Sequence, residues 1–377
     1  MTDVEYDLDQ VTFYDSINPY HRFRDLLPIL EHSLLPDHAR FTPTVHATSL
    51  GKLMGMEHLY IKDETVLPSR STKDRMAAVS LAYLQESGEL NLITSSTGNS
   101  STAYAYALPR FPNMKLCIVT AEAFARRVQA SPSQQLRHIV LEDASFVDAA
   151  NFTASFGEKE RLTPEMGFFN PGRREGLKLA WLEAVEQVPR PIDWYVQAVS
   201  SAMGVYGVFK AAKELQDLKF ANALPRLLCV QQASCAPMAR AWAAGHEKID
   251  PQFIVDRPSG IAASILRGNP SKSYPYIRRI VLESGGAIKS VGEEEIREAR
   301  LLVRSREQLD PCYTASAAVA GLIAAVHSGL VSKRDTVLVN LSGADRPQNT
   351  GGVNGQYFAR DGNDWRPHSV VPDQISQ

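Results

Sequence analysis

The chain has 377 residues, of which 44% are hydrophobic and 22% are charged. This composition is typical of a globular protein long enough for two domains or lobes, and it excludes a disordered or fibrous chain. The 40 basic and 42 acidic residues give a formal net charge of -2 without a basic stripe, which argues against nucleic acid or an acidic membrane as the main partner.

The sequence carries no recognisable signal for secretion, membrane insertion or metal binding. The opening residues, MTDVEYDLDQ, are acidic and lack the positive start and apolar run of a secretory signal. No stretch approaches the ~18 apolar residues of a membrane span. The four cysteines stand singly, and the nine histidines show no His-Glu-x-x-His spacing. We therefore expect a cytoplasmic protein with reduced thiols and no metal site.

Short apolar, β-branched runs alternate with helical patterns along the chain. In chain order the strand candidates are NLITSSTGN, KLCIVTA, DWYVQAVSSAMG, LLCVQQASC and DTVLVNLSG. This alternation predicts an α/β protein with a mostly parallel sheet, in which ligands collect at the carboxyl ends of the strands. The tail from Gly343 is rich in Gly, Asn, Asp and Pro, which predicts irregular structure.

The middle of the chain predicts a separate small domain. Residues 89–150 contain a compact αβαβ pattern, which we interpret as an inserted αβ domain. Residues 1–88 and 151–377 would then form one large, discontinuous domain.

Lys73 stands out in the segment LPSRSTKDRMAAVSLAYLQESG because it follows a run of hydroxyl residues and precedes a helical pattern. At the start of that helix, the helix dipole and the nearby Arg75 would lower the pKa of the lysine. A lysine with a lowered pKa is suited to forming a Schiff base with an aldehyde. The alternative is a solvated lysine in the first turn of a surface helix.

Two loops between a strand and a helix are candidate anion sites. In SSTGNSSTAYA and in QAVSSAMGVYGVFKAAKEL, a strand ends in small residues and a helix begins, so free backbone N–H groups would face a carboxylate or phosphate. Well-capped turns without a ligand are the alternative. Neither loop is a dinucleotide fingerprint, and no Gly-x-x-x-x-Gly-Lys-Ser/Thr loop occurs.

The strand VLVNLSGADR ends in Ser342, whose hydroxyl could hydrogen-bond a ring nitrogen without supplying a full countercharge. An ordinary turn from strand to loop is the alternative at this position.

Taken together, these motifs resemble the fold-type II pyridoxal 5′-phosphate enzymes, in the branch of threonine synthase and cysteate synthase within the tryptophan synthase beta-like superfamily. The segment LYIKDETVLPSRSTKDR is similar to the family's KDE…NPTGSFKDR, which puts Lys73 at the Schiff-base lysine. STGNSS is similar to the loop that holds the substrate carboxylate, which implicates Ser96, Thr97 and Ser100. Asn99 takes the position that contacts the 3′-oxygen of the cofactor.

The resemblance continues through the rest of the chain. SSAMG occupies the position of the loop for the cofactor phosphate, which implicates Ser200, Ser201, Ala202, Met203 and Gly204. Ser342 takes the position that faces the pyridine nitrogen. NPGRREG resembles a segment whose first arginine, here Arg173, helps to bind the substrate phosphate.

The sequence departs from the family pattern in three places, and the third of them sets it apart from threonine synthases. Thr72 replaces a phenylalanine before the lysine, and the phosphate loop has lost glycines, which limits how closely a phosphate can approach its backbone. The polar pair before the Asn-Pro segment is here Gly167-Phe168. With the NPGRR run and WYVQAVSS, these features make the sequence look nearer to cysteate synthase.

The resemblance implies a two-lobed α/β fold, with an open, mostly parallel sheet flanked by helices in each lobe, and a large domain that binds the cofactor. It implies a lyase or transferase that replaces or eliminates the β-substituent of a serine-type amino acid such as O-phosphoserine, through an aminoacrylate. Lys73 would also act as the base for the α-proton, and a homodimer is implied. Threonine synthase chemistry on O-phosphohomoserine is one alternative, and a non-catalytic protein that binds the cofactor or an amino acid is another.

Overall fold

The computed structural model describes residues 1–347, 355–362 and 364–368. The helices are α1 (Pro19–Arg22), α2 (Thr48–Met54), α3 (Lys73–Glu86), α4 (Asn99–Ala107), α5 (Glu122–Ala125), α6 (Phe146–Glu160), α7 (Pro171–Leu177), α8 (Leu179–Gln187), α9 (Met203–Asp217), α10 (Pro237–Ala243), α11 (Tyr274–Glu283), α12 (Glu293–Glu307) and α13 (Tyr313–His327). The strands are β1 (Thr44–His46), β2 (Leu59–Asp63), β3 (Asn91–Ser95), β4 (Lys115–Ala121), β5 (Leu136–Leu141), β6 (Thr163–Pro164), β7 (Trp194–Ala198), β8 (Arg226–Gln232), β9 (Ala287–Val291), β10 (Val337–Leu341), β11 (Gln356–Asp361) and β12 (Asp364–His368).

The first sheet has the strand order β1-β2-β10-β7-β8-β9. Its inner strands are fully buried runs such as WYVQA and VLVNL, whose β-branched and aromatic residues suit a sheet covered on both faces. Only β1 is antiparallel to its neighbour, and the other pairs are parallel. The carboxyl ends of β7 and β10 therefore lie side by side, which brings the residues after them to one edge of the sheet.

The second sheet has the strand order β12-β11-β5-β4-β3-β6. Its strands are parallel except for the edge strand β12, which is antiparallel to β11. The predicted two-lobed α/β fold, built on open and mostly parallel sheets flanked by helices, is confirmed. All five strand candidates from the sequence are strands, namely β3, β4, β7, β8 and β10.

The second sheet extends beyond the predicted small domain. It takes β6, β11 and β12 from outside residues 89–150. The division into 89–150 and a discontinuous remainder stays a prediction. If domains follow the sheets, we propose that the small domain also includes β6 and the hairpin of β11 and β12.

The expectation of an irregular tail is wrong for residues 356–361 and 364–368, which form a hairpin. The two strands pair from Tyr357 with His368 to Asp361 with Asp364 across a turn that contains Gly362. Phe358 packs against Phe152 of α6, with ring centroids 5.3 Å apart. An Asp-Gly turn between strand-forming residues outweighs the polar composition here. Residues 348–354, 363 and 369–377 of this tail lie outside the described residues.

The packing of α3 against α7 fixes the position of Lys73. A Cβ atom on Gly172 of α7 would lie 2.7 Å from Ser80 Cα, and one on Gly176 would lie 2.5 Å from Arg75 O. No side chain fits at such distances, so these glycines allow the two helix backbones to touch. Because α7 carries Arg173 and α3 begins at Lys73, this contact fixes the position of Arg173 relative to Lys73.

A buried charge network joins α3 to β2 and α8. Lys62, Glu64, Arg75 and Glu183 are each 0–1% exposed. Arg75 donates from Nε to Glu64 Oε2 at 2.6 Å and from Nη1 to Glu183 Oε1 at 2.5 Å. Lys62 Nζ donates to Glu183 Oε2 at 2.7 Å. Two cations and two carboxylates thus balance each other, as buried charges require.

Within residues 1–347, 355–362 and 364–368, no helix combines the length and the apolar character needed to cross a membrane. The same residues contain no group of three or more His, Cys, Asp or Glu side chains arranged to hold a metal ion. All four cysteines are free thiols, and only Cys312 is not fully buried.

Candidate active site

A cavity of about 390 Å³ lies where the carboxyl ends of β3, β7 and β10 meet the start of α3. It collects every site residue that the sequence predicts, although these come from distant segments of the chain. The residues are Lys73, Ser96, Thr97, Asn99, Ser100, Arg173, Ser200, Ser201, Ala202, Met203, Gly204 and Ser342. Their roles remain predictions, but their convergence on one cavity is a fact of the fold.

Lys73 begins α3, and its Nζ has no hydrogen bond or ion pair with any described residue. Burial, together with repulsion from Arg173, lowers the pKa of Lys73 to about 8, against the attraction of Glu64. Such an amine is partly unprotonated near neutral pH and therefore nucleophilic. The expectation that Arg75 lowers this pKa is wrong, because Arg75 is bound to Glu64 and Glu183.

The loop after β3 turns tightly into α4. Gly98 has a φ of +115°, in the left-handed region that favours glycine. Ser96 Oγ accepts hydrogen bonds from the N–H groups of Gly98, at 3.0 Å, and Ser101, at 3.3 Å. The N–H groups of Asn99 and Ser100, in the first turn of α4, keep no acceptor within the described part of the chain. This helix start is suited to a carboxylate.

The side chain of Asn99 is held from two sides. Its Nδ2 donates to Ser264 Oγ at 3.1 Å, and its Oδ1 accepts from Arg346 Nη2 at 2.8 Å. Arg346 also donates from Nη1 to Ser69 O at 3.0 Å, and Arg127 donates from Nη2 to Ser264 Oγ at 2.7 Å. The amide plane is thus fixed, and the second Nδ2 hydrogen is the one that remains for a ligand.

The loop after β7 leads into α9, which begins at Met203. Ala202 has a φ of 60° and a ψ of 25°, so this residue adopts the left-handed conformation in spite of its Cβ, at a cost of about 1 kcal/mol. At position 204 a glycine is required for space, because a Cβ there would lie 2.9 Å from Gln197 Nε2. Ser200, Ser201 and the first residues of α9 line this part of the cavity, and a helix start of this kind is suited to a phosphate, so the predicted phosphate-binding role of the loop stays a prediction.

Ser342 directly follows β10, and its carbonyl accepts a hydrogen bond from Thr72 N at 3.0 Å. This bond joins the end of the strand to the residue before Lys73. Among the described residues that line the cavity, Glu165 is the only carboxylate. A ring nitrogen beside Ser342 would therefore meet a hydroxyl and no countercharge.

Arg173 lies in the cavity wall, where it is paired with Glu165. Its Nε and Nη2 both donate to the Glu165 carboxylate, which also accepts from Tyr104 Oη at 2.6 Å. Nε also donates to Tyr104 Oη at 3.1 Å, and Nη1 lies 3.5 Å from Ser100 Oγ. The predicted role of Arg173 in binding a substrate anion stays a prediction, but Glu165 offsets much of the charge that would attract that anion.

Several residues of the site were not found from the sequence. They are Glu165, Ser264, Arg267 and Arg346. Each lies in a connecting segment, where an isolated polar residue is ordinarily solvated. The acid in the apolar run TPEMGFF, at Glu165, is the one signal that could have been noticed.

The residues of the cavity fit the cofactor that the resemblance implies. Pyridoxal phosphate needs an amine for its aldehyde, donors for its phosphate and a partner for its ring nitrogen. Lys73 Nζ, the start of α9 and the Ser342 hydroxyl supply these three types of group around one cavity.

Comparison with known proteins agrees with this geometry. The sequence model of the family described as "Pyridoxal-phosphate dependent enzyme" matches residues 35–343. A cysteate synthase of Methanosarcina mazei is 27% identical over 334 residues, which cover 83% of this chain and 80% of the relative. A threonine synthase of Methanosarcina acetivorans is 27% identical over 328 residues, which cover 85% of this chain and 78% of the relative.

Among solved structures, a diaminopropionate ammonia lyase from Escherichia coli has a TM-score of 0.68 at 17% identity. The match covers 83% of this chain and 86% of that chain. At this level of sequence identity, the similarity shows the fold alone.

Proposed function

The chain belongs to the family of pyridoxal-phosphate dependent enzymes, and we propose that it replaces or eliminates the β-substituent of a serine-type amino acid with an activated leaving group such as phosphate. The observation that carries this proposal is the unpaired Lys73 amine, with its lowered pKa, between two helix starts suited to anions. The relatives named cysteate synthase support the same class of reaction.

When bound, pyridoxal phosphate acts as an electron sink for the bonds at Cα of an amino acid. In the proposed reaction, Lys73 Nζ takes the proton from Cα. The bond from Cβ to the phosphate oxygen breaks, and the phosphate leaves with the electron pair. A nucleophile then brings its own electron pair to Cβ, and Lys73 returns a proton to Cα.

The loop from Ser96 to Ser100 would hold the substrate carboxylate through the free N–H groups at the start of α4. This would fix the direction of the Cα–H bond toward Lys73. The start of α9 would hold the cofactor phosphate, and Ser342 would meet the ring nitrogen. A hydroxyl in that place leaves the nitrogen largely unprotonated, which favours elimination and replacement over transamination.

The uptake of pyridoxal phosphate by the cofactor-free protein is expected to rise with pH around a midpoint near 8, because only the free Lys73 amine attacks the aldehyde. At pH 7, a pKa of about 8 leaves roughly one side chain in ten unprotonated, against roughly one in three thousand for an ordinary lysine. Stopped-flow absorbance across the pH range measures this rate. A rate that keeps rising in proportion to hydroxide well above the midpoint would contradict the lowered pKa.

Phosphate release is expected to be faster from O-phospho-L-serine than from O-phospho-L-homoserine, because the turn at Gly167 and Phe168 offers no polar side chain for the longer substrate. A coupled phosphate assay with each substrate at equal concentration measures the ratio. Release from O-phospho-L-homoserine alone would favour the second candidate, threonine synthase chemistry, which the relative in Methanosarcina acetivorans supports. A protein that binds cofactor and turns over neither substrate would contradict both.

Three finer expectations belong to the same proposal. The partner is a small amino-acid substrate, the assembly is a homodimer and the location is the cytoplasm. Light scattering of the purified protein tests the assembly.

A further inference from the structure

The described residues that line the cavity carry more positive than negative side chains. Among the described residues that line it, the charged side chains are Lys73, Glu165, Arg173, Arg267 and Lys272. The single carboxylate, Glu165, is bound to Arg173. Arg267 and Lys272 therefore add positive charge that no carboxylate of the cavity offsets.

Arg267 is the more informative of the two, because its side chain is partly buried, whereas that of Lys272 is exposed. Its Nε is inaccessible to solvent and has no hydrogen-bond partner. No described residue forms a side-chain hydrogen bond or an ion pair with it. Burial, with repulsion from Arg173, lowers the pKa of Arg267. A donor that is closed off from solvent and has no partner is costly, so the Nε of Arg267 calls for an explanation, and a bound anion is one that fits a cavity wall.

The segment that carries Arg267 is firmly held. Ala262 N donates to Gln232 Oε1 at 2.8 Å, and Gly268 O accepts from Val255 N at 3.1 Å. A Cβ on Gly268 would lie 1.8 Å from Val255 O, so the chain passes here in close backbone contact. The backbone on both sides of Arg267 is thus held by the residues that surround it.

The Arg267 side chain lies in the cavity wall close to Phe146. Its Cζ lies 5.9 Å from the centroid of the Phe146 ring, at the first position of α6. Phe146 belongs to the side of the cavity that packs on the second sheet, whereas the segment of Arg267 follows β8 of the first sheet. The guanidinium therefore lies in the cavity wall where residues that follow the two sheets meet.

We propose that Arg267 binds the oxyanion that reacts at Cβ, either the phosphate of the leaving group or an oxyanionic nucleophile such as sulfite. This inference rests on the proposed function. The planar fork of a guanidinium matches the oxygens of both anions. This proposal gives Arg267 the role in anion binding that the sequence predicts for Arg173, because Glu165 already offsets the charge of Arg173.

The first test is calorimetric titration of the cofactor-loaded protein with inorganic phosphate. Arg267→Gln is expected to weaken phosphate binding by about tenfold to a hundredfold, because charge-assisted hydrogen bonds contribute on that scale. Arg267→Lys keeps the charge without the fork and should recover part of the loss. The charge-matched control is Arg257→Gln, at an exposed position of the same connecting segment, which should bind phosphate like the wild type.

Steady-state kinetics separate the two sources of the oxyanion. If Arg267 holds the leaving group, Arg267→Gln raises KM for O-phospho-L-serine and leaves KM for O-acetyl-L-serine unchanged. If it holds the nucleophile, the variant raises KM for sulfite with either substrate. Both results support the shared chemistry, and a variant with neither change would overturn the proposal.

Three further results would overturn it. Unchanged phosphate affinity in Arg267→Gln would show that the guanidinium does not bind oxyanions, and loss of the cofactor from this variant would show that it holds the cofactor phosphate. The melting temperature should not fall, because the change removes an unpaired charge; a clear fall would indicate a structural role. Phosphate titration needs no turnover, so failure of the proposed reaction and failure of this inference are distinguishable.

Discussion

Lys73→Ala is expected to lower kcat by about 10³-fold or more, because it removes both the amine that holds the cofactor aldehyde and the base for the α-proton. The cavity offers no second amine in an equivalent place: Lys272 also lines it, but that side chain is exposed and follows a different segment. The loss should appear in phosphate release from O-phospho-L-serine and in the cofactor absorbance.

Two variants make this prediction specific. Lys73→Arg keeps the positive charge, but an arginine stays protonated in proteins, so this variant should be as inactive as Lys73→Ala. Lys52→Ala removes an exposed lysine from α2 and should behave like the wild type. Turnover by Lys73→Ala at the wild-type rate would refute the assigned chemistry.

Glu183→Gln is expected to lower the free energy of unfolding by about 3–5 kcal/mol, because it leaves two buried cations to share one carboxylate. Arg75 and Lys62 both donate to Glu183 in the wild type, and only Glu64 would remain to balance them. Glutamine has nearly the same shape, so the change tests charge rather than packing. Urea unfolding of the cofactor-loaded protein measures the difference.

The control for this prediction lies one helical turn away. Glu186→Gln breaks the ion pair between Glu186, which is 30% exposed, and Arg22, which is 24% exposed. This variant should lower the free energy of unfolding by no more than about 1 kcal/mol. If Glu183→Gln and Glu186→Gln lowered the free energy of unfolding equally, burial of the charge network would not increase its contribution to stability.

The frame of the site was predictable from the sequence because it depends on local patterns. The lowered pKa of Lys73 is confirmed in its direction, although burial and Arg173 cause it rather than the helix start. Strands that end in small residues and lead into helices predicted where backbone N–H groups would be free, and the helical pattern after Lys73 predicted that a helix begins there. These features follow from hydrophobic periodicity and helix geometry. The resemblance then connected them to one cofactor.

The pairing of the charges was not predictable in the same way. The bond of Arg173 to Glu165 depends on how the turn after β6 meets α7, and the isolation of Arg267 depends on the path of a long connection after β8. Neither follows from a local pattern. The attribution of the lowered Lys73 pKa to Arg75 failed for the same reason, since the partners of Arg75 come from the segment before β1, the segment between β2 and α3, and α8.

For the hairpin of β11 and β12, the overall polar composition of the tail is a poorer guide than the local turn sequence. The polar composition of the tail predicts irregular structure, whereas Asp361-Gly362 between two strand-forming runs is a local indication of a turn. Its pairing with β5 is a long-range contact that no pattern in the tail predicts.

The central claim is that Lys73 holds the cofactor in this cavity. Borohydride reduction of the cofactor-loaded protein, followed by peptide mass spectrometry, tests it most directly, because reduction makes the linkage permanent on the lysine that carries it. We predict a single modified peptide with the added mass on Lys73. Modification of Lys272 or another lysine instead, or no modified peptide from a protein that has bound the cofactor, would contradict the claim.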